Sequence, residues 1–214
     1  MRYAYLKGSN AMITMQTVLN QLTGTGLSDS LVQIMTEECA EFAAARKQYA
    51  HTMDILRAGL GEAAAAGAMD AIRQQTASSL LFCGALGIKA NLDNFINPLS
   101  RNFLEVDPEI YLREETSRRM PEYACAQRVL DQFYASLSPD QRVLYEDIAA
   151  YRSHLETAVP KLAHYYGYLL GNELLPRIIP GYHRDTALTA QYQRMLRDYF
   201  GETVLLSFHN KFTC

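Results

Sequence analysis

Apolar residues recur along much of this chain at the spacing of a helix that packs on a core. In residues 28–57 they return every seven positions, at Met35, Phe42, Tyr49 and Leu56. This spacing places the four side chains on one helical face. The pattern therefore predicts a first long helix with one buried side.

The segment from 62 to 96 predicts a second helix. It begins rich in alanine, which has the highest helix propensity and lets neighbouring helices approach closely. Asn97 and Pro98 follow, and the residue before a proline disfavours the helical conformation. We therefore expect this helix to end there.

Local capping sequences predict where later helices begin. Asp107 precedes a proline, and Ser138 precedes another with Gln141 three residues further on. A capping side chain followed by proline is typical of a helix start, and the Ser138–Gln141 pair has capping-box spacing. Pro121 is expected to split or kink the segment that starts at Asp107.

The remaining pattern predicts a long helix after Ser138, kinked at Pro160, and a last amphipathic helix over 185–200. Long helices with short connections predict an all-α bundle of four to six helices, with more than about 60% of residues helical against a usual third. The bundle is expected to span 28–201. Residues 1–27 are interpreted as an arm or a short hairpin, and 202–214 as a tail with one short strand.

An internal similarity suggests that the bundle consists of two tandem helical hairpins, over 28–98 and 113–181. Four residues recur 85 positions later, namely Met35, Glu37, Tyr49 and Ala50, and four recur 83 positions later, namely Gly84, Leu86, Leu92 and Ile96. Duplication would relate the halves by a near two-fold rotation and make the helices cross near Gly84 and Gly167. The alternative is coincidence among helices that share Ala, Leu and Gly.

Paired glycines lie inside two apolar helices, as Gly84 with Gly87 and Gly167 with Gly171. Each interior glycine costs a helix about 0.5–1 kcal/mol relative to alanine. The pairs therefore predict that something lies very close to the backbone. A neighbouring helix and a bound ligand are the two interpretations.

Composition narrows the class of protein. Of 214 residues, 49% are hydrophobic and 20% charged, with a formal net charge of −3, which fits an ordinary globular protein and gives no overall attraction to nucleic acid or anionic membranes. The longest apolar run, 80–88, is shorter than the ~20 residues of a membrane span. The four cysteines form no Cys-x-x-Cys pair, so we expect reduced thiols in a cytoplasmic protein.

Motifs for catalysis are absent from the sequence. No histidine follows a glutamate by three residues, as di-iron bundles require, and there is no Gly-x-Ser-x-Gly or phosphate-binding loop. We therefore predict no metal and no cofactor. The resulting hypothesis is a non-enzymatic interaction or scaffolding module. The alternative is a small-molecule-binding or metal-dependent helical enzyme with its site between the hairpins.

Polar aromatic residues are densest between positions 145 and 168. The candidate ligand-binding residues there are Tyr151, His154, Glu156, His164 and Tyr168. Tyrosine buries a large ring and keeps a polar tip, so such a helix can line a pocket or an interface, or fill a core in a protein without tryptophan. All three interpretations remain open at this point.

The last helix carries an apolar stripe that includes Leu188, Tyr192 and Tyr199. A small bundle need not cover such a stripe, and an exposed one marks a partner surface. These three residues are therefore the predicted interface of a homodimer.

Overall fold

The computed structural model describes residues 27–97, Thr116 and residues 119–201. Of these residues 89% are helical and none lies in a strand, which confirms the all-α prediction for this part of the chain. The predicted arm, the Asp107 cap and the tail lie outside it. The helices are α1 Leu27–Glu38, α2 Ala40–Leu60, α3 Glu62–Ile96, α4 Pro121–Ser136, α5 Pro139–Glu146, α6 Ala149–Glu156, α7 Ala158–Ile178 and α8 Thr186–Phe200.

The long segments expected from the sequence are divided by short breaks. Cys39 has extended backbone angles and separates α1 from α2. The predicted kink at Pro160 is confirmed as a break at Thr157, between α6 and α7, because the proline ring clashes with the carbonyl of the residue four positions before it, Glu156. Pro160 occupies the first turn of α7, where backbone N–H groups have no helical acceptor and proline is tolerated.

Three predicted helix boundaries are confirmed. The backbone N–H of Gln141 donates to Ser138 Oγ at 3.3 Å, and the backbone N–H of Ser138 donates to Gln141 Oε1 at 2.9 Å. This is a complete capping box. Pro121 is the first residue of α4. α8 begins after Asp185, whose carboxylate accepts from the backbone N–H of Leu188 at 2.9 Å.

The core is built on α3 and α7, which cross in direct backbone contact. A β-carbon on Gly167 would lie 2.0 Å from the carbonyl oxygen of Gly84, and one on Gly87 would lie 2.1 Å from that of His164. Only glycine allows such an approach. The predicted crossing of these helices is confirmed, and a neighbouring helix explains the interior glycines.

The register of this crossing differs from the one that the sequence similarity suggested. A two-fold rotation that superposes α3 on α7 must exchange the two close contacts. It then matches Gly84 with His164 and Gly87 with Gly167, so equivalent residues are 80 positions apart in the sequence. The sequence indicated 83. Any two crossing helices have a local two-fold axis at their closest approach, so the crossing by itself requires no duplication. The duplication stays a prediction.

The other helices surround this pair. α4 packs on α3 and α8 packs on α7, while α1 and α2 contact α3 and reach α7 and α6 respectively. The first and second predicted hairpins therefore meet along α3 and α7. Within 27–97 and 119–201, no helix is both long enough and apolar enough to cross a membrane.

Candidate functional site

The five predicted ligand-binding residues lie in three separate places. His164 and Tyr168 are buried on α7, beside α8. Tyr151 and His154, on α6, contact Phe42 of α2. Glu156 lines a narrow cleft between α3, α4 and α6. The structure thus divides what the sequence treated as one site.

A stack of aromatic rings joins α7 to α8. The rings of Tyr168 and Tyr192 are stacked with centroids 3.7 Å apart, and Tyr165 meets Tyr192 edge to face at 5.8 Å. The imidazole of His164 lies 6.1 Å from the same ring. Rings packed in this way fill a core and leave no room for a ligand.

This packing buries two of the three residues predicted to form a homodimer interface. Leu188 and Tyr192 are 4% and 0% exposed, so both are core residues covered by their own chain. They therefore cannot face a second copy in this fold, which corrects that part of the interface prediction. Tyr199 is different, because it is 62% exposed and carries the Lys161 ammonium 4.7 Å from its ring centroid.

Burial makes His164 a poor proton acceptor. It lowers the pKa of the imidazole to about 4, and a hydrogen bond with the Cys83 backbone offsets only part of that effect. The ring is therefore neutral near pH 7. A side chain that is only 2% exposed is placed to hold α7 against α3, not to meet solvent or substrate.

Tyr151 and His154 connect α6 to α2. The rings of Tyr151 and Tyr49 stack at 4.7 Å, and His154 meets Phe42 edge to face at 5.9 Å. Burial raises the pKa of Tyr49 to about 12, with a further increase from the nearby Tyr151 phenol. The phenols of Tyr49 and Tyr151 stay protonated at neutral pH, so this contact serves to pack α6 against α2.

Arg152, on α6, separates two cavities. On one side is the cleft that Glu156 lines, with walls from Ile72, Gln75, Thr76 and Ser79 of α3, Tyr123 of α4, and Leu155 of α6. Its volume is about 10 Å³, which is room for one water molecule. The guanidinium donates from Nη2 to Glu156 Oε1 at 3.3 Å.

On the other side of Arg152 lies the larger cavity, which we call the α4–α5–α6 groove. Its volume is about 260 Å³. It is lined by Leu130, Asp131 and Tyr134 of α4, Tyr145 and Glu146 of α5, and Ala149 and Arg152 of α6. Three helices thus converge on a surface opening that combines aromatic rings with both signs of charge, and this groove is the candidate functional site.

Hydrogen bonds fix the polar side chains of the groove. The Tyr134 hydroxyl donates to Glu146 Oε1 at 3.1 Å, and Arg152 Nη1 donates to the Tyr145 hydroxyl at 3.3 Å. Asp131 accepts from Gln127 Nε2 at 2.8 Å. Among the residues that the structure describes, neither Asp131 nor Glu146 forms an ion pair.

The charged groups that line the groove affect the pKa of Tyr145. Burial is the main cause of the raised pKa of this phenol, and Arg152 opposes the rise. The negative charges of Asp131 and Glu146 add to it. Tyr145 is therefore a neutral hydrogen-bonding group that is exposed to the charges of Arg152, Asp131 and Glu146 together.

Sequence reasoning did not single out Asp131, Tyr134, Glu146 or Arg152. Their spacing gave a weak signal, because Asp131 and Tyr134 are three residues apart and share a helix face. The convergence of α4, α5 and α6 depends on the breaks at either end of α5, and no pattern of apolar residues fixed the angles there.

The groups that line the groove form hydrogen bonds and ion pairs. In the part of the chain described here, no three His, Cys, Asp or Glu side chains come together as a set that could hold a metal ion. The groove itself offers carboxylates, phenols and one guanidinium. Comparison with known protein families, with curated proteins and with solved structures found no match to this chain.

Proposed function

We propose that this protein is a non-enzymatic helical interaction module that receives a protein partner in the α4–α5–α6 groove. The observation that supports this most is the size of the groove, about 260 Å³. Small-molecule pockets usually measure about 300–1,000 Å³ and enclose most of the ligand. A smaller groove that opens at the surface suits one side chain of a docked partner.

The rigidity of the groove wall also supports docking. α4 is held to α3 by the hydrogen bond from Gln75 Nε2 to Gln127 Oε1, at 2.6 Å, and α3 is in turn locked to α7 by the glycine crossing. A binding surface held on rigid elements loses little conformational entropy when a partner arrives.

Photo-crosslinking tests this proposal. A photoreactive phenylalanine analogue at Ala149, which lines the groove, is compared with the same residue at Ala150, its exposed neighbour that does not. In cells that normally contain the protein, a defined protein adduct is expected at 149 and not at 150, and excess unlabelled protein should compete it away. Equal adducts at both positions, or none at either, would contradict docking in the groove.

Self-association is part of the same proposal. Tyr199 keeps the predicted interface at the surface of α8 even though Leu188 and Tyr192 do not. We expect a homodimer in sedimentation velocity, with the dimer fraction rising with concentration and falling in Tyr199→Ala. A monomer at the highest concentration would rule out self-association and leave docking of another protein intact.

A second candidate function is small-molecule binding in the cleft between the hairpins. It is favoured by the lining, since α3 supplies Gln75, Thr76 and Ser79 while α6 supplies Glu156. A ligand larger than water would require the Arg152 side chain to move. Native mass spectrometry of the purified protein distinguishes the two: a retained small molecule in stoichiometric amount supports this candidate, and a bare chain mass supports the module.

A further inference from the structure

We propose that the α4–α5–α6 groove takes a basic side chain, the guanidinium of an arginine or the ammonium of a lysine, from a docked protein segment. The inference rests on the proposed docking function and names the chemistry of the anchoring group. It comes from the shape of the cavity, the charges at its rim and the rings that line it.

The charges at the rim are unbalanced. Asp131 and Glu146 are exposed at the groove, and each accepts one hydrogen bond from a neutral donor. The cation of the lining, Arg152, is already engaged, because its guanidinium donates to Glu156 in the neighbouring cleft and to the Tyr145 hydroxyl in the groove. A carboxylate has about four acceptor sites, so both rim acids keep capacity for a charged donor.

The rings supply the second attraction. Tyr134 and Tyr145 lie with centroids 5.6 Å apart and planes inclined by 53°, and both line the cavity. Arginine already packs on both, with Arg142 5.3 Å from the Tyr134 centroid and Arg152 5.9 Å from that of Tyr145. Because Tyr145 is only 4% exposed, the half-buried Tyr134 is the ring that an incoming cation can reach, beside Arg142.

Other side chains fit this groove less well. An acidic group would approach two carboxylates and be repelled. An apolar group would remove water from Asp131 and Glu146 without replacing their hydrogen bonds, which costs free energy for each charge. A long side chain with a cationic tip packs its aliphatic stem on the half-buried Tyr134 ring, and it reaches the rim acids with its tip.

The test uses three short peptides, acetyl-Gly-Xaa-Gly-amide with arginine, lysine or citrulline in the centre, and methylguanidinium as a free cation. Binding is followed on the ¹⁵N-labelled full chain by two-dimensional NMR, through amide shifts in 130–134 and 145–152. We expect saturable shifts with the arginine or lysine peptide and none with citrulline, which has the same shape as arginine without its charge. Binding should weaken as salt rises.

Matched variants locate the charge that matters. Asp131→Asn and Glu146→Gln should each weaken binding roughly three- to five-fold, and together roughly ten-fold or more. Glu173→Gln makes the same charge change at an exposed site on α7, outside the groove, and should leave the affinity unchanged. Unaltered circular dichroism would show that each variant is folded.

Four outcomes overturn the inference: no shifts with either basic peptide at millimolar concentration, equal binding of the citrulline peptide, an equal loss in Glu173→Gln, or binding of methylguanidinium without the peptides. The last would mean a small-cation site. If crosslinking at position 149 finds a partner while the basic peptides fail, the docking function stands and only the identity of the anchor is wrong.

Discussion

Replacing Gly167 by alanine tests how tightly α3 and α7 are joined. The added β-carbon would lie 2.0 Å from the carbonyl oxygen of Gly84 and 2.7 Å from its carbonyl carbon. Ordinary contact requires about 3.5 Å, so the two backbones must separate by roughly 1.5 Å. Gly87→Ala creates the equivalent clash with the carbonyl oxygen of His164, at 2.1 Å.

Two opposing effects set the size of the change. Alanine in a helix interior is favoured over glycine by about 0.5–1 kcal/mol. Overpacking a well-filled core usually costs about 1–3 kcal/mol, and the upper end applies because a backbone carbonyl cannot rotate aside as a side chain can. We therefore expect Gly167→Ala and Gly87→Ala each to lower the free energy of unfolding by about 2 kcal/mol.

Gly67→Ala is the matched control. Gly67 lies on the exposed face of α3, and nothing lies within 4 Å of the position its β-carbon would take. The same substitution should there raise the free energy of unfolding by about 0.5–1 kcal/mol. Urea denaturation followed by far-ultraviolet circular dichroism measures all three. If Gly167→Ala leaves the free energy of unfolding unchanged, or raises it as Gly67→Ala does, α3 and α7 are not in backbone contact at Gly84 and Gly167.

Further predictions concern single polar groups. Ser138→Ala removes the capping-box acceptor and should cost about 0.5–2 kcal/mol in urea denaturation; an unchanged midpoint would contradict the cap. The hydroxyl of Tyr192 is fully buried and has no hydrogen-bond partner among the residues that the structure describes, so Tyr192→Phe should be neutral or stabilising by up to about 1–3 kcal/mol. Tyr182→Phe is its counterpart: the lost hydroxyl donates its one proton to Asn91 Oδ1 at 2.5 Å, with Asn172 Oδ1 also within reach at 3.0 Å, and stability should fall. Equal effects of the two changes would refute this reasoning. Because the pKa of His164 is about 4 when folded and about 6.5 when unfolded, the unfolded chain binds more protons between these values. The stabilisation that comes from burying neutral His164 is therefore complete above about pH 6.5 and declines as the pH falls towards 4. An imidazole that titrates near 6.5 in the folded protein by NMR would contradict this.

Local signals in the sequence were enough for much of the fold. The helices follow from the three- and four-residue spacing of apolar positions, and the start of α5 follows from Ser138 and Gln141 alone. The α3–α7 crossing was also predictable, because interior glycines such as Gly84 and Gly167 weaken a helix unless a close contact requires them. Each of these inferences depended on a sequence pattern within a single helix, without knowledge of how the helices pack.

Features that depend on several helices could not be predicted in this way. Pro160 predicted a break in the long helix after Ser138, but not that the break lies at Thr157 or which angle it gives α6 and α7. The stripe on α8 correctly indicated a buried face, but periodicity does not say whether α7 or a second molecule covers it. The α4–α5–α6 groove combines Asp131 with Glu146 only because α5 is short and turns between its neighbours.

The backbone contact between α3 and α7 limits how the protein can deform. Sliding one helix along the other would drive the carbonyl of Gly84 or His164 into the opposing backbone, and rotation about the contact would break the hydrogen bond from Asn91 Nδ2 to the Tyr168 carbonyl, at 2.7 Å. The pair therefore resists both sliding and rotation of one helix against the other. Any conformational change must be taken up in the outer helices, at the joints beside Cys39, Ile148 and Thr157.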